Sequence, residues 1–192
     1  MAPSTPAPRA DPVSPSGVVG VVLAAGEGAR FGGPKAPFVL DGERLVDRAV
    51  RVLRDGGCDR VLVVLGAWLG DVPGADVVVN DGWAEGMGSS LRAALEHLGA
   101  DTYADAALVT LVDLPGLTTE AVRRVVGSGS DLAVATYDGV RGHPVLIGRA
   151  HWAGVAASAR GDRGARDYLA AHPPAEVEVG DAADGADLDV RP

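Results

Sequence analysis

The sequence has a single cysteine and a single lysine among its 192 residues, and only 4% of its residues are aromatic. One cysteine, Cys58, can form neither an internal disulfide nor a cysteine-rich zinc site. Basic residues are also few, 17 against 26 acidic ones, which gives a formal net charge of −9. Proteins that bind nucleic acids or anionic membranes need a basic face to offset phosphate charge, so we expect neither partner.

Long apolar runs are missing as well. The longest near the N-terminus covers residues 18–25, well short of the roughly 20 residues that a membrane-spanning helix needs. The first 16 residues hold five of the 13 prolines and lack the apolar centre of a secretory signal. We therefore expect a cytoplasmic protein in which residues 1–17 are a disordered extension and residues 18–192 form one domain.

Short β-branched runs alternate with helix-like segments from residue 18 onward. Strands are predicted at residues 18–23, 60–65, 76–80, 107–112, 132–136 and 144–147. Helices are predicted from residue 45 to the Gly56-Gly57 pair, over 89–98, after Thr118 and over 165–171. This alternation indicates a mostly parallel sheet covered on both faces, with ligands at the carboxyl ends of the strands.

The most specific segment is LAAGEGARFGGPK, residues 23–35. Small residues let the backbone approach a ligand and present N–H groups to phosphates, and Arg30 and Lys35 can neutralise phosphate charge. The segment is not a P-loop, because Pro34 stands at the lysine position. It also fails the dinucleotide-binding fingerprint, because Phe31 replaces the third glycine. A glycine-rich surface turn with solvated charges is the alternative interpretation.

Five further segments follow in order along the chain: NDGWAEGMGSSL at 80–91, VDLP at 112–115, GHPVL at 142–146, GDRGAR at 161–166 and DLD at 187–189. Together with residues 23–35 they resemble the motifs of the MobA-like NTP transferase family, most closely its molybdenum cofactor (molybdopterin) cytidylyltransferases. The resemblance runs from residue 18 to residue 190. It implies a three-layer α/β/α Rossmann-like nucleotidyltransferase fold with a mostly parallel sheet.

The resemblance also implies a reaction. A Mg²⁺-dependent enzyme of this family moves a nucleotidyl group from an NTP to a phosphorylated acceptor, such as molybdopterin, and releases pyrophosphate. The pair Ala24-Ala25 resembles the cytidylyl-transferring type, whereas guanylyl-transferring members tend to have LAGG at these positions. CTP is therefore the favoured donor and GTP the second choice.

Roles for individual residues follow from the same resemblance. Arg30, Lys35 and Asp113 are expected to be catalytic, and Asp113 and Asp189 to hold Mg²⁺. Nucleotide contacts are expected from Leu23, Ala24, Ala25, Gly26, Gly28, Arg30, Lys35, Gly88, Ser89 and Ser90. Acceptor contacts are expected from His143, Arg163 and Arg166. Structural alternatives stay open: helix capping for the serines and for Asp113, a turn hydrogen bond for His143, and surface charge for the two arginines.

The residues after Asp189 bear on the second metal ligand. Only three residues follow Asp189, and the family's next helix is not among them, so the second metal ligand is expected to be loosely held.

Two other classes of function also stay open. One is an NAD(P)- or flavin-dependent oxidoreductase of a small heterocycle, which the broken fingerprint disfavours. The other is a non-catalytic maturation factor whose partner is a molybdenum hydroxylase.

Overall fold

The computed structural model describes residues 17–192. Nearly all of the predicted N-terminal extension lies outside the described residues. The strands are β1 (Val18–Leu23), β2 (Val39–Leu40), β3 (Glu43–Arg44), β4 (Arg60–Leu65), β5 (Asp76–Val79), β6 (Ala106–Leu111), β7 (Leu132–Tyr137), β8 (Val140–Gly148) and β9 (Ala175–Glu178). The helices are α1 (Leu45–Asp55), α2 (Met87–Gly99), α3 (Thr119–Val126), α4 (Arg149–Ser158) and α5 (Arg166–Ala171).

Seven strands form one sheet in the order β5-β4-β1-β6-β8-β7-β9, while β2 and β3 form a separate small hairpin. All six residues of β1 are buried, as expected of a valine-rich strand with a layer on each face. Strand β1 pairs in parallel with β4 on one side and with β6 on the other. The predicted mostly parallel sheet is therefore confirmed.

Strand β8 is the antiparallel exception and pairs with both β6 and β7. The connection from β7 to β8 is the dipeptide Asp138-Gly139, in which both residues have positive φ, 52° and 78°. Two consecutive positive φ values define the tight hairpin turn that Asp-Gly favours. The chain therefore reverses within two residues instead of crossing over through a helix.

Helices cover both faces of the sheet. Leu45 and Leu53 of α1 pack with Val122 of α3 against one face, and Leu91 and Leu95 of α2 belong to the cluster on the other. Helices α4 and α5 add buried residues to the second cluster. The α/β/α layering is the one expected from the sequence, and no helix within residues 17–192 is long and apolar enough to cross a membrane.

Helix α4 is the main element that the sequence analysis missed. It buries only Trp152 and Val155, and it contains Gly154 in its interior. That glycine is required by packing, because an added Cβ would lie 2.4 Å from Cε2 of the Tyr168 ring. A helix that buries so few large side chains shows little of the periodicity that predicts helices.

Candidate active site

A cavity of about 520 Å³ opens at the carboxyl ends of β1 and β6. Its walls come from three segments that the sequence analysis singled out and from one residue of a fourth. The lining residues are Leu23, Ala24, Ala25, Gly26, Glu27, Gly28, Arg30 and Lys35, then Trp83, Ala84, Gly86, Met87 and Ser90, then Leu111, Val112 and Asp113, and finally Asp162. The sheet rule thus places the cavity correctly.

The glycine-rich loop, residues 26–33, folds back on itself beside this cavity. The backbone N–H groups of Gly32 and Gly33 both donate to the carbonyl oxygen of Gly28, at 2.9 and 3.1 Å. Gly28 has a φ of +63°, and an added Cβ would lie 2.0 Å from the Gly33 carbonyl oxygen. Only glycine fits there without moving the backbone.

Lys35 lies between two carboxylates at the base of the loop. Its Nζ is 2.7 Å from Oδ2 of Asp113 and 3.6 Å from Oδ1 of Asp189. The Lys35 side chain is only 15% exposed, whereas Arg30, which lies 3.6 Å from the same Asp189 oxygen, is 84% exposed. The lysine is therefore a largely buried charge of the site, and the arginine is an exposed one beside it.

A third carboxylate, that of Asp187, belongs to the same cluster. Burial raises its pKa, and the negative charges of Asp113 and Asp189 raise it further, while Lys35 and Arg30 act in the opposite direction. The backbone joins the segments as well, because the Leu188 N–H donates to the Asp113 carbonyl at 2.9 Å. Asp187 therefore adds a third acidic group beside Asp113 and Asp189.

The donor set around Lys35 suits a hard divalent cation. Mg²⁺ is usually held by one or two carboxylates, and substrate phosphates and water complete its octahedron. Asp113 and Asp189 supply two carboxylates that already share one cationic partner. Within residues 17–192, no group of three or more acidic, histidine or cysteine side chains is arranged to hold a metal alone. The site therefore fits a metal that binds together with a phosphate.

The segment that carries Asp189 is held in place more firmly than expected. We call residues 184–191 the C-terminal strap. The strap begins at Asp184, whose N–H donates to the Gly116 carbonyl at 3.1 Å. It ends at Arg191, whose Nε donates to the Phe31 carbonyl at 3.1 Å. Hydrogen bonds thus join the strap to the rest of the chain at both ends, where a loosely held segment was expected.

The loop after β5 is organised around the buried side chain of Asn80. Its Nδ2 donates to Ser89 Oγ at 2.8 Å and to Ser90 Oγ at 3.0 Å, and its Oδ1 accepts from the Gly82 N–H at 3.0 Å. Ser89 Oγ in turn donates to the carbonyls of Gly82 and Gly86. Of the two serines, Ser90 lines the cavity, while Ser89 is bonded within the turn and does not.

Gly88, another predicted nucleotide contact, does not line the cavity either. It lies against the chain before α5, where an added Cβ would be 2.8 Å from the Arg160 nitrogen. Close helix packing therefore explains the glycine. The sequence pattern predicted the segment correctly, but it could not tell which of its small residues face inward.

The three predicted acceptor residues lie outside the cavity wall. His143 Nδ1 is 3.3 Å from the Val109 carbonyl, and burial lowers the pKa of its imidazole, although the Val109 carbonyl and the nearby Asp113 favour its charged form. Arg163 is bonded to Asp167 one helical turn later. Arg166 is exposed at the start of α5. None of the three is among the residues that line the cavity, although the lining residue Asp113 is close enough to act on the His143 imidazole.

Asp162 is one of the cavity residues that were not predicted as site residues. It lies between Gly161 and Arg163, inside the GDRGAR motif, in which only the two arginines were predicted as site residues. Its Oδ1 accepts from the Met87 N–H at 3.4 Å, so a carboxylate stands at the start of α2. An anion is therefore not the partner of this helix end. Trp83 also lines the cavity, and Gly66 after β4 lets it pack closely, because an added Cβ there would lie 2.7 Å from Trp83 Cβ.

A glycine-rich loop, a lysine between two aspartates and a cavity at the carboxyl edge of a mostly parallel sheet are features typical of nucleotide-binding α/β proteins. The chain belongs to the MobA-like NTP transferase family, whose domain model matches residues 20–177. It is thus a member of a nucleotidyltransferase family, as the sequence motifs predicted.

Individual relatives carry different names. The chain is 36% identical to nicotine blue oxidoreductase of Paenarthrobacter nicotinovorans, over 90% of this chain and 92% of that protein. It is 34% identical to a probable molybdenum cofactor guanylyltransferase of Opitutus terrae, over 65% of this chain and 63% of the relative.

Solved structures agree with the fold. A homologue of Mycobacterium tuberculosis Rv0371c from Mycobacterium sp. strain JC1 has a TM-score of 0.77 and 29% identity, and 91% of each chain is covered. Rv0371c itself has been solved as a complex with manganese, with a TM-score of 0.66, 26% identity, and coverage of 84% of this chain and 86% of that one.

Proposed function

We propose that this protein is a Mg²⁺-dependent nucleotidyltransferase that moves a nucleotidyl group, CMP in preference to GMP, from an NTP to a phosphorylated acceptor such as molybdopterin. The observation that carries the proposal is the Lys35 ammonium held between Asp113 and Asp189 at the base of the glycine loop. Membership of the MobA-like NTP transferase family supports it.

The reaction needs positioning and charge neutralisation more than covalent help from the protein. An acceptor phosphate oxygen attacks the α-phosphorus, the bond from that phosphorus to the bridging oxygen breaks, and pyrophosphate leaves with the electron pair. Gly26 and Gly28 leave room for the triphosphate along the loop. Lys35 neutralises charge near the α-phosphate, and the exposed Arg30 folds over the outer phosphates.

In this proposal Asp113 and Asp189 hold the Mg²⁺ ion. When bound, the ion neutralises phosphate charge and orients the triphosphate for in-line attack. Asp113 is suited to this role because its side chain is only 18% exposed and its backbone carbonyl fixes the strap beside it. The solved complex of Rv0371c with manganese supports a divalent ion as part of the proposal.

The choice of CTP rests on Ala24 and Ala25, which are 3% and 4% exposed at the end of β1. Two alanines at this edge resemble the cytidylyl-transferring type. The relative from Opitutus terrae carries the guanylyl name, so GTP is the competing donor. For the acceptor, Arg166 is a better candidate than Arg163, because Asp167 already binds the Arg163 guanidinium.

The test is a thermal-shift screen of the purified chain with CTP, GTP, ATP and UTP, each with and without Mg²⁺, followed by a pyrophosphate-release assay with molybdopterin. A ligand at 100 times its Kd stabilises by about 2.7 kcal/mol, which gives a readily measured shift. We expect CTP with Mg²⁺ to give the largest shift and the fastest release, and the Asp113→Asn variant to lose both. The absence of turnover with every NTP would refute the proposal.

The name of the P. nicotinovorans relative favours one second candidate, an oxidoreductase of a small heterocycle. It predicts that the purified protein binds NAD(P)H or carries flavin absorbance. A maturation factor for a molybdenum hydroxylase is a separate outcome, recognised by NTP binding without turnover and by stable binding to the apo-hydroxylase.

A further inference from the structure

Arg191 joins two segments of the site that are far apart in the chain. Its Nε donates to the Phe31 carbonyl at 3.1 Å, and its Nη2 donates to the Gly32 carbonyl at 3.3 Å. Both acceptors belong to the glycine-rich loop, whereas Arg191 ends the C-terminal strap. A guanidinium is the one side chain that can bond two neighbouring carbonyls through a rigid planar fork.

The same guanidinium also packs against two aromatic rings. Its Cζ lies 5.3 Å from the centre of the Phe31 ring and 5.6 Å from that of Phe38. The two rings meet edge to face at 4.9 Å, and Phe31 is 3% exposed. Cation–π contacts of this kind favour one orientation of the guanidinium over the rings. The hydrogen bonds to the loop carbonyls and the contacts with the two rings therefore fix the same orientation of the Arg191 guanidinium.

The position of this contact matters for the charges of the site. Phe31 and Gly32 lie between Arg30 and Lys35 in the sequence, and Arg191 lies two residues after Asp189. Movement of the strap away from the loop would separate Asp189 from both cations, which now lie 3.6 Å from its Oδ1. The rest of the strap is fixed independently, by the Asp184 N–H on the Gly116 carbonyl and by the Leu188 N–H on the Asp113 carbonyl.

We infer that Arg191 is a positioning residue, which latches the strap onto the glycine-rich loop and so sets the distance between Asp189 and the two cations. It touches neither the cavity nor any residue that we assign to the nucleotide. The role deepens the proposed function and rests on it where it concerns the metal, but the latch itself is a property of the free protein.

The test compares Arg191→Gln and Arg191→Lys with Arg141→Gln, a matched control. Arg141 is another exposed arginine. It lies on strand β8, it does not line the cavity, and its Nε is 2.7 Å from Oε1 of Glu176 on strand β9. Hydrogen exchange over residues 26–35 reports the loop directly, because the Gly32 and Gly33 N–H groups are bonded within it. The affinity for Mn²⁺ in the presence of CTP reports on the Asp189 carboxylate. It is measured from the paramagnetic resonance signal of the Mn²⁺ that remains free.

We expect about tenfold faster exchange over 26–35 and about tenfold weaker Mn²⁺ binding in Arg191→Gln, the loss typical of residues that orient metal ligands. Arg191→Lys should fall between this variant and the wild type, because the charge remains but the fork is lost. Melting temperatures should match that of Arg141→Gln. Unchanged exchange over 26–35 in Arg191→Gln would overturn the inference, as would unchanged Mn²⁺ affinity. A wild type that binds no Mn²⁺ would count against the proposed function, and loop exchange would then decide the inference alone.

Discussion

Alanine substitutions at three glycines of the loop separate backbone strain from ligand contact. Gly26 has no positive φ, and an added Cβ would meet nothing within 4 Å. Gly32 has a φ of +84° and equally open surroundings. Gly28 combines a φ of +63° with a Cβ position 2.0 Å from the Gly33 carbonyl oxygen. The three sites therefore present no obstacle, one obstacle and two obstacles to a methyl group.

The magnitudes follow from this difference. A left-handed conformation costs an L-residue about 1–2 kcal/mol, so Gly32→Ala should lower the free energy of unfolding by roughly 1 kcal/mol. Gly28→Ala must also displace a backbone carbonyl, which brings its loss to about 2–3 kcal/mol. Gly26→Ala should stay within about 0.5 kcal/mol of the wild type. In a protein of this size about 1 kcal/mol corresponds to 2–4 °C in Tm.

Urea denaturation and CTP titration are measured on all three variants. Gly26 lines the cavity and Gly32 does not, so Gly26→Ala should weaken CTP binding with normal stability, and Gly32→Ala should do the reverse. Gly28→Ala should lose both. Equal stability of the three variants would refute the loop geometry, and normal CTP binding by Gly26→Ala would refute the assignment of the cavity.

Three other variants test separate parts of the structure. Lys35→Arg should keep the fold but reduce pyrophosphate release at least about 100-fold, because a planar fork does not fit where one ammonium lies between two carboxylates; full activity would contradict its role. Asn80→Ala should lower the free energy of unfolding by about 2–3 kcal/mol in urea titrations, since it leaves buried serine hydroxyls without their donor; a loss below 1 kcal/mol would contradict the hydrogen bonds described above. Glu178 accepts N–H bonds from Gly180 and Gly139, which lower the pKa of its carboxyl to about 2. The pKa of Glu178 in the folded state lies below the unfolded value of about 4.3. The ionised carboxylate therefore stabilises the folded state above that pH, and this contribution is lost as the pH falls towards 2. The Tm difference between wild type and Glu178→Gln should therefore shrink between pH 5 and pH 2, and a constant difference would exclude this role.

Much of the fold could be predicted because its strands are continuous apolar runs. The runs that became β1, β4 and β6 have the signature of strands buried on both faces. The strand at 144–147 was predicted, but its antiparallel direction and its start at Val140 were not, although Asp138-Gly139 between two β-branched runs is a strong hairpin pattern. Helix α4 offered no comparable signal, because Trp152 and Val155 are its only buried side chains.

The site was predictable only as segments. The sheet rule brought the ends of β1 and β6 together, and with them Lys35 and Asp113. The rule says nothing of Asp162, which lies in a turn far along the chain, nor of the inward or outward direction of Gly88 and Ser89. Those depend on the hydrogen bonds of Asn80 and on contacts across elements, and no local pattern encodes either.

The C-terminal strap also has a consequence for biosynthesis. Every strand of the sheet precedes residues 184–191 in the chain, so a ribosome makes the strap only after all strands have been made. Chains tend to fold from the N-terminus as they emerge, and six of the seven strands of the sheet end by residue 148, well before the strap. A nascent chain can therefore begin to build the sheet and the glycine-rich loop before Asp189 and Arg191 have been made. The ionic contacts of Asp189 with Arg30 and Lys35, and the hydrogen bonds of Arg191 with the glycine-rich loop, can therefore form only after the elements that they join have been made.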